Sequence, residues 1–335
     1  MRFRNSLIFA LASTFISFVV HANEVYVTNQ KSDSVSIIDT NTRKVLETVK
    51  IAGWFPHNIV FTPDGREAWI ANLGSANVSI MDTSTRKIKM TLPPGGLCEG
   101  DIHPRGPNSE PKGMPVNCSR VHEVAIRPDG KFAYITNLDS DYIWVFDAIT
   151  KKEVGRIRSG SSARMVFSRD GKLGYVVSSH SQNIPVVDTD ANRVIGEVPI
   201  GRGVFGLAVS PDDRFLYITT GKDNHLIIFE VGTQKKVAEI KVGNDPHTVV
   251  VSPDGKWAYV TNRDDNEVAV IDTTKREIKN KVKTGAAPDL AALVGKYLYV
   301  TNRKDDLVSV IDTESLAIDA VIPSGKEPHG IAVRP

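Results

Sequence analysis

An all-β, seven-bladed β-propeller of four-stranded blades is the fold the sequence predicts, on three observations. A segment of the form aromatic-apolar-Thr-Asn is written seven times. Five of the six separations between the copies are about 42 residues, the exception being one long gap. The chain also finishes in an apolar strand with no partner after it and starts, past a leader, with a strand that lacks one before it, so the two ends complete one blade.

The leader comes first. Arg2 and Arg4 precede an apolar run from Leu7 to Val20, 14 residues long, short of the ~20 a spanning helix needs. Residues 1–22 therefore read as a secretory signal peptide, with cleavage expected after Ala22 and a periplasmic or secreted protein to follow. Residues 23–335 then form a single propeller, with no membrane span. Of the 41 basic side chains only Arg2 and Arg4 leave with the leader, so 39 remain against 39 acidic ones. A neutral chain offers no net field to steer a polyanion, which argues against nucleic acid as a partner. A monomer is expected.

Next come the repeats. VYVTN ends at Asn29, AWIAN at Asn72, AYITN at Asn137, AYVTN at Asn262 and LYVTN at Asn302, with looser copies ending at Ser178 and Thr220. Their aromatics, Tyr26, Trp69, Tyr134, Tyr175, Tyr217, Tyr259 and Tyr299, are separated by 43, 65, 41, 42, 42 and 40 residues. Each unit continues through a polar turn, an alternating strand ending in Asp-Thr (SVSIIDT, EVAVIDT), a charged turn and a third alternating strand such as KVLETVKI. A link containing Gly or Pro then enters a short apolar strand, HNIVF or HTVVV, closed by Pro-Asp-Gly. Four strands in a repeat of about 40–45 residues form a propeller blade. Continuous apolarity marks the last strand as buried on both faces and innermost, and alternation marks the others as half-solvated. The Asp of the Asp-Thr pairs at Asp39, Asp82, Asp188, Asp272 and Asp312 is expected to accept bonds from backbone N–H groups in its turn. Closure of the ring by the two termini removes the exposed edges an open sheet would carry.

The YVTN copies, VxVIDT strands and PDGKxAYVTN turns resemble the YVTN-type β-propeller repeat proteins, over the whole chain past the leader except one insertion. That resemblance implies a secreted repeat protein, similar to propellers encoded beside quinoprotein oxidation systems and to lactonase-like propellers. The propeller domains of nitrous oxide reductase and of cytochrome-type nitrite reductases share the architecture. The repeat specifies the fold and leaves the chemistry open.

Chemistry gathers at one register. The first residue of each inner strand, seven before the Asp of its turn, is in ring order His329, His57, His122, Ala163, Phe205, His247 and, before a shorter turn, Asp289. Four of these seven are His in a chain with 8, a coincidence with random odds on the order of one in 10⁵ by template counting. Because the ring closes, His247, Asp289, His329, His57 and His122 occupy consecutive blades and face one mouth of the channel. Imidazole and carboxylate are donors for Zn²⁺, Cu²⁺ and Fe²⁺, so these five are the candidate ligands of a transition metal, copper or zinc. The same groups suit proton shuttling or hydrogen bonding between blades, and the sequence leaves those alternatives open.

The long gap places about 23 extra residues, within 93–120, in the link that ends at His122. Cys98 and Cys118 would meet an oxidising compartment, and a disulfide there would close a loop of about 20 residues, worth roughly 3 kcal/mol. The insertion reads as a cross-linked lid beside the histidines. His103 within it, Trp54 and Phe55 in the preceding link, Arg164 and Phe205 are candidate ligand-binding residues. A small molecule or a partner protein is expected at the mouth. Three functions fit: ligand binding with a metal, a lactonase-like hydrolase or oxidoreductase accessory enzyme, and a protein-interaction scaffold. Arg263, Arg303, Asp264-Asp265 and Asp305-Asp306 read as solvated turns of mixed charge.

Overall fold

The computed structural model describes residues 24–93, 120–178, 181–201 and 203–335. The leader and nearly all of the insertion, with Cys98, His103 and Cys118, lie outside the described residues. Seven separate antiparallel sheets of four strands follow one another round a ring. Blade one is closed by the two ends of the chain: the C-terminal strand Pro328–Val333 pairs with Glu24–Asn29, which continues into Ser34–Asp39 and Lys44–Lys50. Blades two to seven begin with the inner strands Pro56–Phe61, Val121–Ile126, Arg164–Phe167, Gly206–Val209, Pro246–Val251 and Pro288–Val294.

The recurring aromatic explains why the period exists. Tyr26 of blade one packs with Ile59, Phe61, Ile70 and Met81 of blade two, its ring 4.9 Å from that of Phe61 and nearly perpendicular to it. Trp69 does the same toward blade three, Tyr134 toward four, Tyr175 toward five, Tyr217 toward six and Tyr259 toward seven. Tyr299 of blade seven closes the ring against Val25 and Val27. Seven cores thus lie between blades, each seeded by one aromatic whose burial is worth roughly 2–3 kcal/mol.

Burial departs from the sequence expectation in one respect. The most buried strands are the second and third of each blade, Glu24–Asn29 and Ser34–Asp39 among them, whereas the inner strands are partly exposed. The cause is position: the middle strands are sandwiched between two neighbouring blades, while an inner strand turns part of its length to the channel. The outermost strands are the most exposed, Lys44–Lys50 having only two half-buried positions. Six of the seven edges carry Lys, Arg or Glu, the exception being Ala317–Pro323, and each blade has a β-bulge between its third and fourth strands, devices that discourage edge-to-edge association. The Asp of each Asp-Thr pair does cap its turn: Asp39 Oδ1 accepts from Asn41 N and Thr42 N, and Asp272 Oδ1 from Thr274 N and Lys275 N.

In five of the seven blades the Thr of the YVTN segment ties the blade to the next; blade two has Ala71 and blade four Val177 at that position. The threonine hydroxyl donates to the carbonyl of the residue in the His/Asp register at the head of the next inner strand: Thr28 to His57, Thr136 to Ala163, Thr219 to His247, Thr261 to Asp289 and Thr301 to His329, at 2.8–3.1 Å. Thr301 Oγ1 also accepts from Leu290 N at 3.0 Å. Thr301→Val would orphan that buried N–H and release His329. Its expected cost is about 1–3 kcal/mol, read as a lower urea midpoint. A midpoint equal to wild type would show the threonine ring to be dispensable. The approach leaves no room for side chains at neighbouring glycines: a Cβ on Gly330 would stand 2.5 Å from His57 O.

Candidate functional site

The inner strands of blades one, two, six and seven start with Pro, which needs no ladder partner for a missing N–H, followed by His329, His57, His247 and Asp289. Threonine anchors the backbone of these four, so their side chains meet at one end of the channel. His57 lies between two other imidazoles, its ring centroid 4.1 Å from His122 and 3.8 Å from His329. His247 completes the arc, 6.5 Å from the His329 ring. Phe205 meets His247 edge-on at 6.1 Å.

Asp289 is the focus. It is 0% exposed, and its Oδ1 takes three contacts: His247 Nε2 at 3.1 Å, Arg263 Nη2 at 2.5 Å and Arg263 Nε at 3.2 Å. Its Oδ2 makes no hydrogen bond and stands 3.4 Å from His329 Nε2. His329 Nδ1 lies 2.8 Å from His57 O. A carbonyl can only accept, so Nδ1 carries the proton and a neutral His329 leaves a lone pair on Nε2. Two lone pairs, one on nitrogen and one on a carboxylate oxygen, therefore face each other. Donors held 2.0–2.2 Å from one tetrahedral ion stand about 3.4 Å apart, so this spacing suits a shared cation.

One donor atom from each of His247, Asp289 and His329 can be chosen so that all three lie within 4.8 Å of one another. The other two candidate ligands stand differently. His122 donates Nδ1 to Ala163 O at 2.6 Å, which ties blade three to blade four, and His57 Nδ1 is buried with no hydrogen-bond partner among the described residues. His247 Nδ1 is orphaned in the same way. The hydrogen bonding between blades that the sequence left open is thus present at His122 and His329.

Electrostatics keep these imidazoles neutral. Burial drives His122 down to about 3 and His329 down to about 4, in the latter case against the pull of Asp289. Burial, reinforced by neighbouring histidines and arginines, holds His57 and His247 well below the ordinary value. For Asp289 burial alone would raise the carboxyl, but the charge that His329 and His247 acquire once they protonate in acid, together with the standing charge of Arg263, holds it below the usual range.

Of the remaining candidates, Arg164 adjoins this centre, close enough for its charge to act on His57 and His247. Arg164 pairs with Glu123, Nε to Oε2 at 2.8 Å, both nearly enclosed, and burial raises the Glu123 carboxyl in spite of that pair. Trp54 and Phe55 form the link into His57; their carbonyls accept from Gly74 N and Leu73 N. His103 and the Cys98–Cys118 pairing fall outside the described residues.

Arg263 is the residue whose role the sequence hides. Its mixed-charge neighbourhood suggests a solvated turn, yet it crosses to the next blade and holds a fully buried carboxylate. Asp265 and Asp305 likewise accept from link backbone, at Asn244 N and Ala286 N. A signal was present. The spacing Gly-x-x-Pro followed by His or Asp occurs at Gly53, Gly243, Gly285 and Gly325, in the four links that deliver His57, His247, Asp289 and His329.

Comparison with known proteins agrees with this architecture. Residues 99–294 match the family model described as lactonase, 7-bladed beta-propeller. A seven-bladed β-propeller protein of Mycobacterium tuberculosis is 30% identical over 112 residues, 32% of this chain and 28% of that relative, well under two thirds of its length. Among solved structures, a functionally unknown protein from Desulfotomaculum acetoxidans superposes with a TM-score of 0.73 at 17% identity, covering 93% of this chain and 98% of the other. Kuenenia stuttgartiensis hydrazine synthase does so with a TM-score of 0.72 at 21% identity, covering 86% and 92%. At such identities the superpositions speak for the fold alone.

Proposed function

Because the chain belongs to the lactonase, seven-bladed β-propeller family, we propose that its channel mouth binds a divalent transition-metal cation through His247, Asp289 and His329 and serves the hydrolysis of a cyclic ester. One observation carries the metal part: the unbonded, buried Asp289 Oδ2 facing His329 Nε2 at 3.4 Å. The donor set of two imidazoles and a carboxylate suits zinc, copper or iron. The family match supports the ester part.

Each residue then has a task. His57 O fixes the His329 tautomer, so that Nε2 and not Nδ1 is offered to the mouth. Arg263 takes Oδ1 of Asp289 and leaves Oδ2 for the cation. Phe205 and Ala163 interrupt the polar arc, which gives the mouth an apolar side against which the carbon skeleton of a ligand can rest. When bound, such a cation supplies Lewis acidity and lowers the pKa of coordinated water. Three protein donors leave a position for that water or for a substrate oxygen.

The test has two arms. Tag-free protein reconstituted with Zn²⁺ or Cu²⁺ and freed of excess should retain one ion per chain by elemental analysis, and His329→Ala should retain almost none. Content far below one ion per wild-type chain would sink the metal part. Metal-loaded protein should open γ- and δ-lactones in a pH-stat assay, and no turnover across such a panel would remove the hydrolytic part while leaving cation binding standing.

A further inference from the structure

Each of the three proposed ligands hangs from the same backbone device. The residue two before His247, Asp289 and His329 is Asp245, Ala287 or Glu327, with φ of 51°, 55° and 51°. Left-handed backbone is unfavourable for residues with a Cβ, and the proline that follows further narrows the choice. Something must hold these three residues there.

The holder is a side chain from the preceding blade. Asn224 Oδ1 accepts from Asp245 N at 3.1 Å, Asn266 Oδ1 from Ala287 N at 2.9 Å and Asp306 Oδ1 from Glu327 N at 2.9 Å. The carbonyl of the same left-handed residue is taken from the other side: Arg263 N donates to Asp245 O, Arg303 N to Ala287 O and Gln30 N to Glu327 O, at 3.0–3.1 Å. Each link is thus clamped between the top turns of two adjacent blades. Asn224, Asn266 and Asp306 are themselves left-handed, with φ of 64°, 52° and 58°, a region Asn and Asp tolerate best.

We propose that Asn224, Asn266 and Asp306 are positioning residues for the cation site, each setting through one left-handed residue and one proline where the donor atom of the next blade stands. The claim rests on the cation-binding reading above. Its consequence is that the site is built by the top turns of blades five, six and seven as well as by the inner strands. A side chain about half a repeat away in sequence, at position 266 on the neighbouring blade, governs Asp289 without touching it.

Asn266→Ala in the full-length protein is the test, with Asn266→Asp, which keeps the acceptor, as rescue. Asp254→Ala is the control, since Asp254 caps a turn of blade six at the opposite end, accepting from Ser252 Oγ and Lys256 N. Co²⁺ titration followed by visible absorption should show Asn266→Ala weakened by about 10–100-fold, the range seen when the support of a metal ligand is lost. Asn266→Asp and Asp254→Ala should stay within about threefold of wild type, as for sites that do not share partners. A second readout needs no metal: in ¹⁵N-histidine spectra the ring nitrogens of His247, which contact Asp289, should shift in Asn266→Ala and not in Asp254→Ala. Wild-type affinity together with unmoved His247 signals in Asn266→Ala would overturn the proposal, and so would equal weakening in Asp254→Ala. If wild type itself takes up no Co²⁺, the cation reading fails, and the His247 signals alone still decide whether Asn266 positions Asp289.

Discussion

Asp289→Asn should abolish cation retention and destabilise the protein at once. The substitution keeps the size of the side chain and removes its charge, so the ligand set loses its only anion; an affinity loss of at least about 100-fold, or 2.7 kcal/mol, is expected. The stability effect has a separate origin. Arg263, with about a fifth of its side chain exposed, would lose the carboxylate it was folded around, keeping only Asp245 at 3.9 Å. Stranding a buried charge costs about 3–5 kcal/mol, and partial solvation of Arg263 reduces that to roughly 2 kcal/mol. Isothermal titration with Zn²⁺ and thermal melts read the two effects separately. Arg263→Gln divides a metal centre from a purely structural ring, because removing a competing positive charge should raise cation affinity while stability falls. In a structural ring no cation binds in either protein, and the two variants differ only in melting temperature. Wild-type cation affinity in Asp289→Asn would remove Asp289 from the site.

The two variants also show what sequence could and could not reveal. The blade period, the ring closure and the register of His57, His122, His247, Asp289 and His329 are local matters, each encoded within one strand and repeated until it is unmistakable. The seven aromatics are legible for the same reason, although the reason they recur, a core between blades, appears only when Tyr26 is seen against Phe61. Arg263 is different. Its partner Asp289 lies on the next blade, and only the angle between blades decides whether a guanidinium after YVTN reaches it or points to water. Asn266 and Asp306 were hidden likewise: turn residues of mixed charge normally solvate themselves, and nothing in their own segment shows that a neighbouring link needs an acceptor for a left-handed N–H. Which imidazoles face a carboxylate and which a carbonyl also depends on geometry. His122 and His329 occupy the same register, yet His122 ends on Ala163 O while His329 reaches both His57 O and Asp289.

Acid should unfold this propeller well before its carboxylates titrate. His57, His122, His247 and His329 are each held below the ordinary histidine value of about 6.5, with His122 near 3 and His329 near 4. The unfolded chain therefore takes up protons at these four side chains below pH 6.5 while the folded chain does not, so stability falls as pH falls. The full contribution is present above pH 6.5. Each histidine loses about 1.4 kcal/mol per pH unit below it, so the four together cost up to about 8 kcal/mol between pH 6.5 and 5, comparable with an ordinary folding stability. Asp289 acts in the same direction but later, since its depressed carboxyl keeps its contribution until the pH drops below the unfolded value of about 3.9. Glu123 opposes them: burial raises its carboxyl, so the folded state takes up that proton first and gains as the pH falls toward the unfolded value. Asp245, whose carboxyl burial also raises, opposes them too, and two carboxyls against four histidines leave the net sign unchanged. Urea midpoints measured at pH 7.5, 6.5, 5.5 and 5.0 should decline steeply below 6.5, and the double variant His57→Asn/His122→Asn should show about half that decline. A midpoint constant from pH 7.5 to 5.0 would mean that the imidazoles are protonated or hydrated in the fold, and the neutral lone pair on His329 Nε2 on which the proposed cation site rests would be lost with that result.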